Sequence, residues 1–140
     1  MRSALLTLPF AAMLLASPVA AQQPDSVFND YADMRAQMDE LTKTRNIQQL
    51  MLRFGGADEM TTVQLDNLDA QVEQIYAVDF EQVSVLRRTE HDNGFYQELL
   101  AYWTGLNYLY VYVFYHERDG KIVAINFRFN SDFNALNNLF

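Results

Sequence analysis

The chain of 140 residues contains no cysteine. That excludes a structural disulfide and a thiolate nucleophile, and it removes the residue that lipoprotein processing acylates at a cleavage site. Basic residues are scarce: ten Lys and Arg stand against eighteen Asp and Glu, a formal charge of −8. No Lys/Arg cluster relieves that balance, so the chain is unsuited to nucleic acid or anionic lipid. His91 and His116 are far apart and lack the companions that a zinc site requires. Beyond residue 21, no apolar run is long enough to span a bilayer. Gly55-Gly56 lacks the strand before it and the lysine after it that a phosphate cradle needs. Ser84 has no nucleophile elbow around it. Nothing marks a pair of titratable groups set apart for acid–base work, so the residues point away from an enzyme and imply no metal and no cofactor.

What is present begins with a leader. Arg2 supplies a positive n-region, residues 4–15 are apolar, and Ala16-Ser17-Pro18-Val19-Ala20-Ala21 ends in small residues suited to cleavage after Ala21. Residues 1–21 therefore read as a secretory signal peptide, which predicts a periplasmic or secreted protein, soluble and free of membrane once cleaved. Arg2 leaves with the leader, so the formal charge goes from −8 to −9 over the remaining residues. Residues 22–26, with Pro24, form a flexible lead-in, and residues 27–140 are long enough for one domain with a real core.

The domain opens at helical period. Phe28, Tyr31, Met34, Met38 and Leu41 make one apolar stripe. Ile47, Leu50, Met51 and Phe54 make a second, ended by Gly55-Gly56. Thr61-x-x-Gln64 is a capping box opening a third helix, whose stripe is Leu65, Leu68, Val72 and Ile75. Met34 and Met38 lie in the first stripe and read as core filler rather than copper ligands. Asp66, Asp69 and Glu73 share one face of the third helix without a calcium-binding loop, so they read as its solvated side.

Near Phe80 the period changes to two. Residues 83–90, 95–103, 106–117 and 121–130 read as four strands separated by Asn93-Gly94, Thr104-Gly105 and Asp119-Gly120, an antiparallel meander. Ser131 or Asp132 can cap a last short helix through Phe133, Leu136 and Phe140. The predicted class is α+β, with N-terminal helices packed on a four-stranded antiparallel meander in two layers.

A type I′ turn at Asp119-Gly120 sets Arg118 opposite Lys121 and sorts the last two strands into two faces. An aromatic face carries Tyr108, Tyr110, Tyr112 and Phe114 against Val123, Ile125, Phe127 and Phe129, joined by Leu86, Phe95, Gln97, Leu99, Ala101 and Trp103. An aliphatic face carries Leu109, Val111 and Val113 against Asn126, Arg128 and Asn130, joined by Val83, Val85, Tyr96, Leu100 and Tyr102, with Arg87, Thr89 and Glu98 among them. The aromatic face is the more continuously apolar, so the helices are expected there. Tyr112 and Arg128 are accordingly expected on opposite sides of the sheet.

Two sites follow from this register. Gln97, Trp103, Tyr108, Tyr110 and Tyr112 would wall a pocket for a small apolar ligand, with hydroxyls to orient it; ordinary packing of aromatic strand residues is the plainer account. On the other face, Val85, Leu100, Tyr102, Val111 and Val113 would lie exposed around a cross-strand row of Glu98, Val111 and Arg128. Apolar patches of that kind mark partner interfaces, and the expected partner is a second copy or another envelope protein.

The helical block over residues 25–76 and the long strands 95–103, 106–117 and 121–130 resemble the nuclear transport factor 2-like superfamily, also called SnoaL-like or ketosteroid-isomerase-like. The resemblance lies in topology and covers most of the chain after the leader. It implies a cone-like domain in which helices pack into a curved sheet around a pocket, and a habit of dimerising. The isomerases' buried Tyr and Asp pair has no matching motif, so no catalytic residue is carried over. A cystatin-like helix on a meander is the alternative fold. Together these observations predict an exported binding or assembly domain that dimerises through the outer sheet face. The alternative is a small-molecule binder or isomerase/hydrolase-like enzyme with a pocket between helices and sheet.

Overall fold

The computed structural model describes residues 25–140, so the expected leader and most of the lead-in lie outside the described residues. The elements run β1 (Val27–Phe28), α1 (Tyr31–Lys43), α2 (Ile47–Arg53), a 3-10 turn (Gly56–Glu59), α3 (Thr62–Ile75), β2 (Gln82–Glu90), β3 (Phe95–Thr104), β4 (Asn107–Arg118), β5 (Lys121–Asn130) and α4 (Phe133–Asn137). The fold is α+β, four helices on one antiparallel sheet in the order β1-β5-β4-β3-β2.

The helices begin where the side chains can cap them. Asp30 accepts from the Asp33 N–H, which satisfies one orphan donor of α1, and Asp33 in turn accepts from the Asn29 N–H just ahead of the cap. The expected capping box of α3 is present, with Thr61 Oγ1 accepting from Gln64 N–H at 3.2 Å and Gln64 Oε1 accepting from Thr61 N–H at 3.0 Å. The sheet has one strand more than expected. β1 is only two residues long and pairs Val27 with Val123 and Phe28 with Ile122, too short to leave a periodic signal. Ser26, at the end of the lead-in, is tied on both sides: its N–H donates to Arg53 O and its carbonyl accepts from Ala124 N–H, each at 2.8 Å.

Asp119 (φ 52°) and Gly120 (φ 71°) form the tight turn expected between β4 and β5, with Arg118 opposite Lys121. The β3–β4 turn differs. Thr104 pairs with Asn107, so Gly105 and Leu106 are the central residues and Glu98 meets Val113 rather than Val111. A two-residue shift preserves the period of two, and both strands keep their expected faces.

Two bulges do change faces. Between β4 and β5 the register slips at Phe114/Tyr115, leaving Ile125 as an extra residue. Beyond it, Phe127 and Phe129 turn to the side of Val113 and Val111, while Asn126, Arg128 and Asn130 join Phe114, Tyr112 and Tyr110. Between β2 and β3 the register slips at Val85/Arg87, setting Arg87 opposite Leu99 and Thr89 opposite Gln97. The first bulge overturns the expected layering. With two phenylalanines gained, the aliphatic face is the greasier one, and it takes the helices. Met34, Met38, Ile47, Leu50, Met51, Phe54, Leu68 and Val72 pack there against Leu100, Tyr102, Leu109, Val111, Val113, Ile122 and Phe127. Each such side chain contributes roughly 1.5–3 kcal/mol on burial. The aromatic face carries only a small second core, in which Leu136 of α4 packs on Leu99 and Tyr112.

Candidate functional site: the open face of the sheet

The five residues expected to wall a pocket all project from the aromatic face, which α4 covers only in part. They divide into two grooves. Trp103, Tyr108 and Tyr110 line the first with Ser84, Leu86 and Ala101, a space of about 320 Å³. Their rings are near-parallel, with centroids 6.2 Å apart for Trp103–Tyr108 and 6.4 Å for Tyr108–Tyr110, and Phe133 of α4 meets Tyr110 edge-on. Tyr108 is 41% exposed and Leu86 48%.

Gln97 and Tyr112 line the second groove, about 620 Å³, with His91, Asp92, Phe95 and Phe114. Gln97 is its hub. Its Nε2 donates to Tyr112 Oη at 2.8 Å and to the Leu139 carbonyl at 3.0 Å, and its Oε1 lies 2.7 Å from His91 Nε2. A backbone carbonyl can only accept, so the amide orientation is fixed. Oε1 must then accept, which makes His91 Nε2 the donor and leaves Nδ1 as the open ring nitrogen. The C-terminal segment closes over this hub: Phe140 sits edge-on to Tyr112, and the Arg87 guanidinium lies 4.2 Å above the Phe140 ring.

The residues expected to form an exposed interface are placed otherwise. Glu98, Leu100, Tyr102, Val111 and Val113 are fully buried beneath this chain's own helices, and among the apolar residues only Val85, on the edge strand β2, keeps appreciable exposure. Arg128 projects from the aromatic face and pairs with Glu59 at 2.6 Å, so the expected Glu98–Arg128 row does not form. Glu98 instead accepts from the Tyr31 hydroxyl at 2.7 Å, with Arg88 at 4.0 Å, and Arg35 donates to Tyr31 Oη at 3.0 Å. Nearby, Tyr102 donates to Asp39 at 2.7 Å. Burial first, then the Asp39 charge, holds the Tyr102 hydroxyl well above the usual phenol range, and burial followed by the Glu98 charge does the same to Tyr115. None of the five grooves described in the structure is lined by Glu98. Packed rings and guanidinium groups surround this carboxylate, so it braces α1 against the sheet.

Sequence reasoning missed His91, Asp92, Phe95, Phe114 and Leu86 as site residues. His91 reads as a turn residue until the β2–β3 hairpin folds it back onto Gln97; a polar glutamine in an otherwise apolar row was the available signal. Among the described residues no group of three or more His, Asp or Glu could hold a metal ion, and no helix is long and apolar enough to cross a membrane. Comparison with protein-family models, curated proteins and solved structures finds no match to this chain.

Proposed function

We propose that this is an exported, non-enzymatic binding or assembly domain whose working surface is the open aromatic face of the sheet, and that the partner docking there is a second copy of the chain. The observation that carries the reading is the ladder of Trp103, Tyr108 and Tyr110, left in part exposed beside Leu86 while the opposite sheet face is filled by three helices. Large rings brought together at the surface gain most from being covered by another surface. The leader-like first 21 residues support export to the periplasm or medium. The layout of helices on a meander is consistent with the nuclear transport factor 2-like resemblance, whose members often pair through the sheet. A pocket enzyme finds less support, because the buried Glu98 is enclosed by packed side chains rather than by one of the described grooves.

Sedimentation velocity tests the proposal. At tens of micromolar protein the wild type should run as a dimer, and Tyr108→Asp should run as a monomer with an unchanged helix content. A wild type that stays monomeric at that concentration would refute it.

A further inference from the structure

We propose that the second groove, at the His91 end of the open face, binds an alkylated ammonium group such as the quaternary head of a choline-like or betaine-like molecule. This goes beyond the self-association above: it uses other residues and stands or falls separately.

Several aromatic rings of the fold already hold a cation. Arg53 lies 4.0 Å above Phe28, Arg88 4.9 Å above Tyr96, and Arg87 4.2 Å above Phe140. The fold thus repeatedly places a guanidinium over an aromatic face, an arrangement that gains strength as the charge is desolvated. Phe95, Phe114 and Tyr112 line the groove and carry no such guanidinium among the described residues. The groove is shallow and open, and one face of Phe95 is taken by the His116 ring stacked on it at 3.9 Å. Phe114 lies at 24° to Phe95 and receives the His91 ring edge-on at 89°.

Charge complementarity selects the ligand's sign. Asp92 supplies a carboxylate at the rim, neither lysine nor arginine lines the groove, and the chain as a whole carries −8. An anion would find no cation in the lining itself, because the nearest guanidinium groups, Arg87 and Arg128, are already engaged with Phe140 and Glu59. Hydrogen-bonding capacity then selects the kind of cation. Gln97 has spent both N–H groups and its oxygen on Tyr112, Leu139 and His91. A primary ammonium brings three N–H donors, for which only Asp92 and the open His91 Nδ1 remain as side-chain acceptors in the lining, and a sugar needs several partners for its hydroxyls. A trialkylated ammonium needs none. It presents methyl groups to the rings and its charge to their faces, with Asp92 as the counter-ion. The Tyr112 oxygen accepts from Gln97, so its own O–H stays available for a hydroxyl or carboxylate elsewhere on the ligand.

Titrating the full chain with choline chloride, monitored by amide and side-chain NMR shifts against a matched sodium chloride series, tests this. The control is 3,3-dimethylbutan-1-ol, which has the same shape and no charge. The expected result is saturable shifts centred on His91, Gln97, Tyr112 and Phe114, with a Kd on the order of 1 mM. The neutral isostere should bind at least about ten-fold more weakly, and Phe114→Leu and Asp92→Asn should each weaken choline by about three-fold or more. Asp92 is exposed, so its replacement decides the question even if Phe114→Leu fails to fold. Absence of saturable shifts, equal binding of the isostere, or indifference to Asp92→Asn would each overturn the proposal. None of these outcomes bears on whether the chain dimerises through Tyr108.

Discussion

Tyr112 and Arg128 stand directly opposite one another on β4 and β5, a ring and a guanidinium projecting from the same side of the sheet. They do so because Ile125 is an extra residue in β5. Its removal would let Ala124, Asn126 and Phe127 follow one another opposite Tyr115, Phe114 and Val113 in an unbroken ladder. Deleting Ile125 should therefore leave every other β5 side chain on its present face. Ile125 is half exposed, so little burial is lost, and the deletion should cost no more than about 2 kcal/mol in urea denaturation. Deleting Arg128 instead would swing Phe129 out of the core and should cost more. A deletion of Ile125 that abolishes folding would contradict this register.

The Tyr31 hydroxyl joins two charged groups, donating to Glu98 and accepting from Arg35. Tyr31→Phe removes both bonds while the carboxylate stays buried, so it should cost about 1–3 kcal/mol. In the Glu98→Leu background the same change should cost about 1 kcal/mol less, because no buried carboxylate then remains to be left short. Urea denaturation of the four members of this cycle measures the difference. Strict additivity would mean that Tyr31 and Glu98 do not act as a pair.

Alkaline pH should unfold the protein by way of its buried phenols. Tyr102 and Tyr115 are held above the ordinary tyrosine value in the folded state, as are Tyr31 and Tyr76 to a smaller degree, each chiefly by burial. A raised folded value means stability that is fully present below about pH 10 and is lost as pH climbs beyond it, since the unfolded chain gives up these protons first. The double variant Tyr102→Phe/Tyr115→Phe should show a shallower decline above that point, though not a flat one. Parallel slopes for variant and wild type in denaturation at rising pH would contradict the assignment.

Much of the helical layer is legible in the sequence, because a period of 3.6 leaves a mark that burial repeats: Met34, Met38, Ile47, Leu50, Leu68 and Val72 are both the striped and the buried residues. The capping box at Thr61 and the turn at Asp119-Gly120 are equally plain, since each needs particular side chains or particular φ values. Bulges leave no comparable trace. The segment Val123-Ala124-Ile125-Asn126-Phe127 reads as unbroken alternation, yet one residue in it is supernumerary, and that single slip decided which face the helices cover. Glu98 was singled out as charged on an apolar strand, but Tyr31 lies on α1, which no strand register connects to it, and Arg88 of β2 comes opposite it only through the slip at Val85/Arg87. The open-face residues Trp103, Tyr108 and Tyr110 were found for the pocket they would form; their openness depended on the far side of the sheet being filled.

Trp103 is the only tryptophan in the chain and belongs to the ladder on the open face, so its fluorescence reports directly on what covers that face. Acrylamide quenching should be efficient in dilute protein, fall as concentration is raised into the tens of micromolar, and remain high at every concentration in Tyr108→Asp. Protection from quencher at all dilutions would place the helical layer over the aromatic rings, and undiminished quenching in the concentrated wild type would leave the face without its second copy.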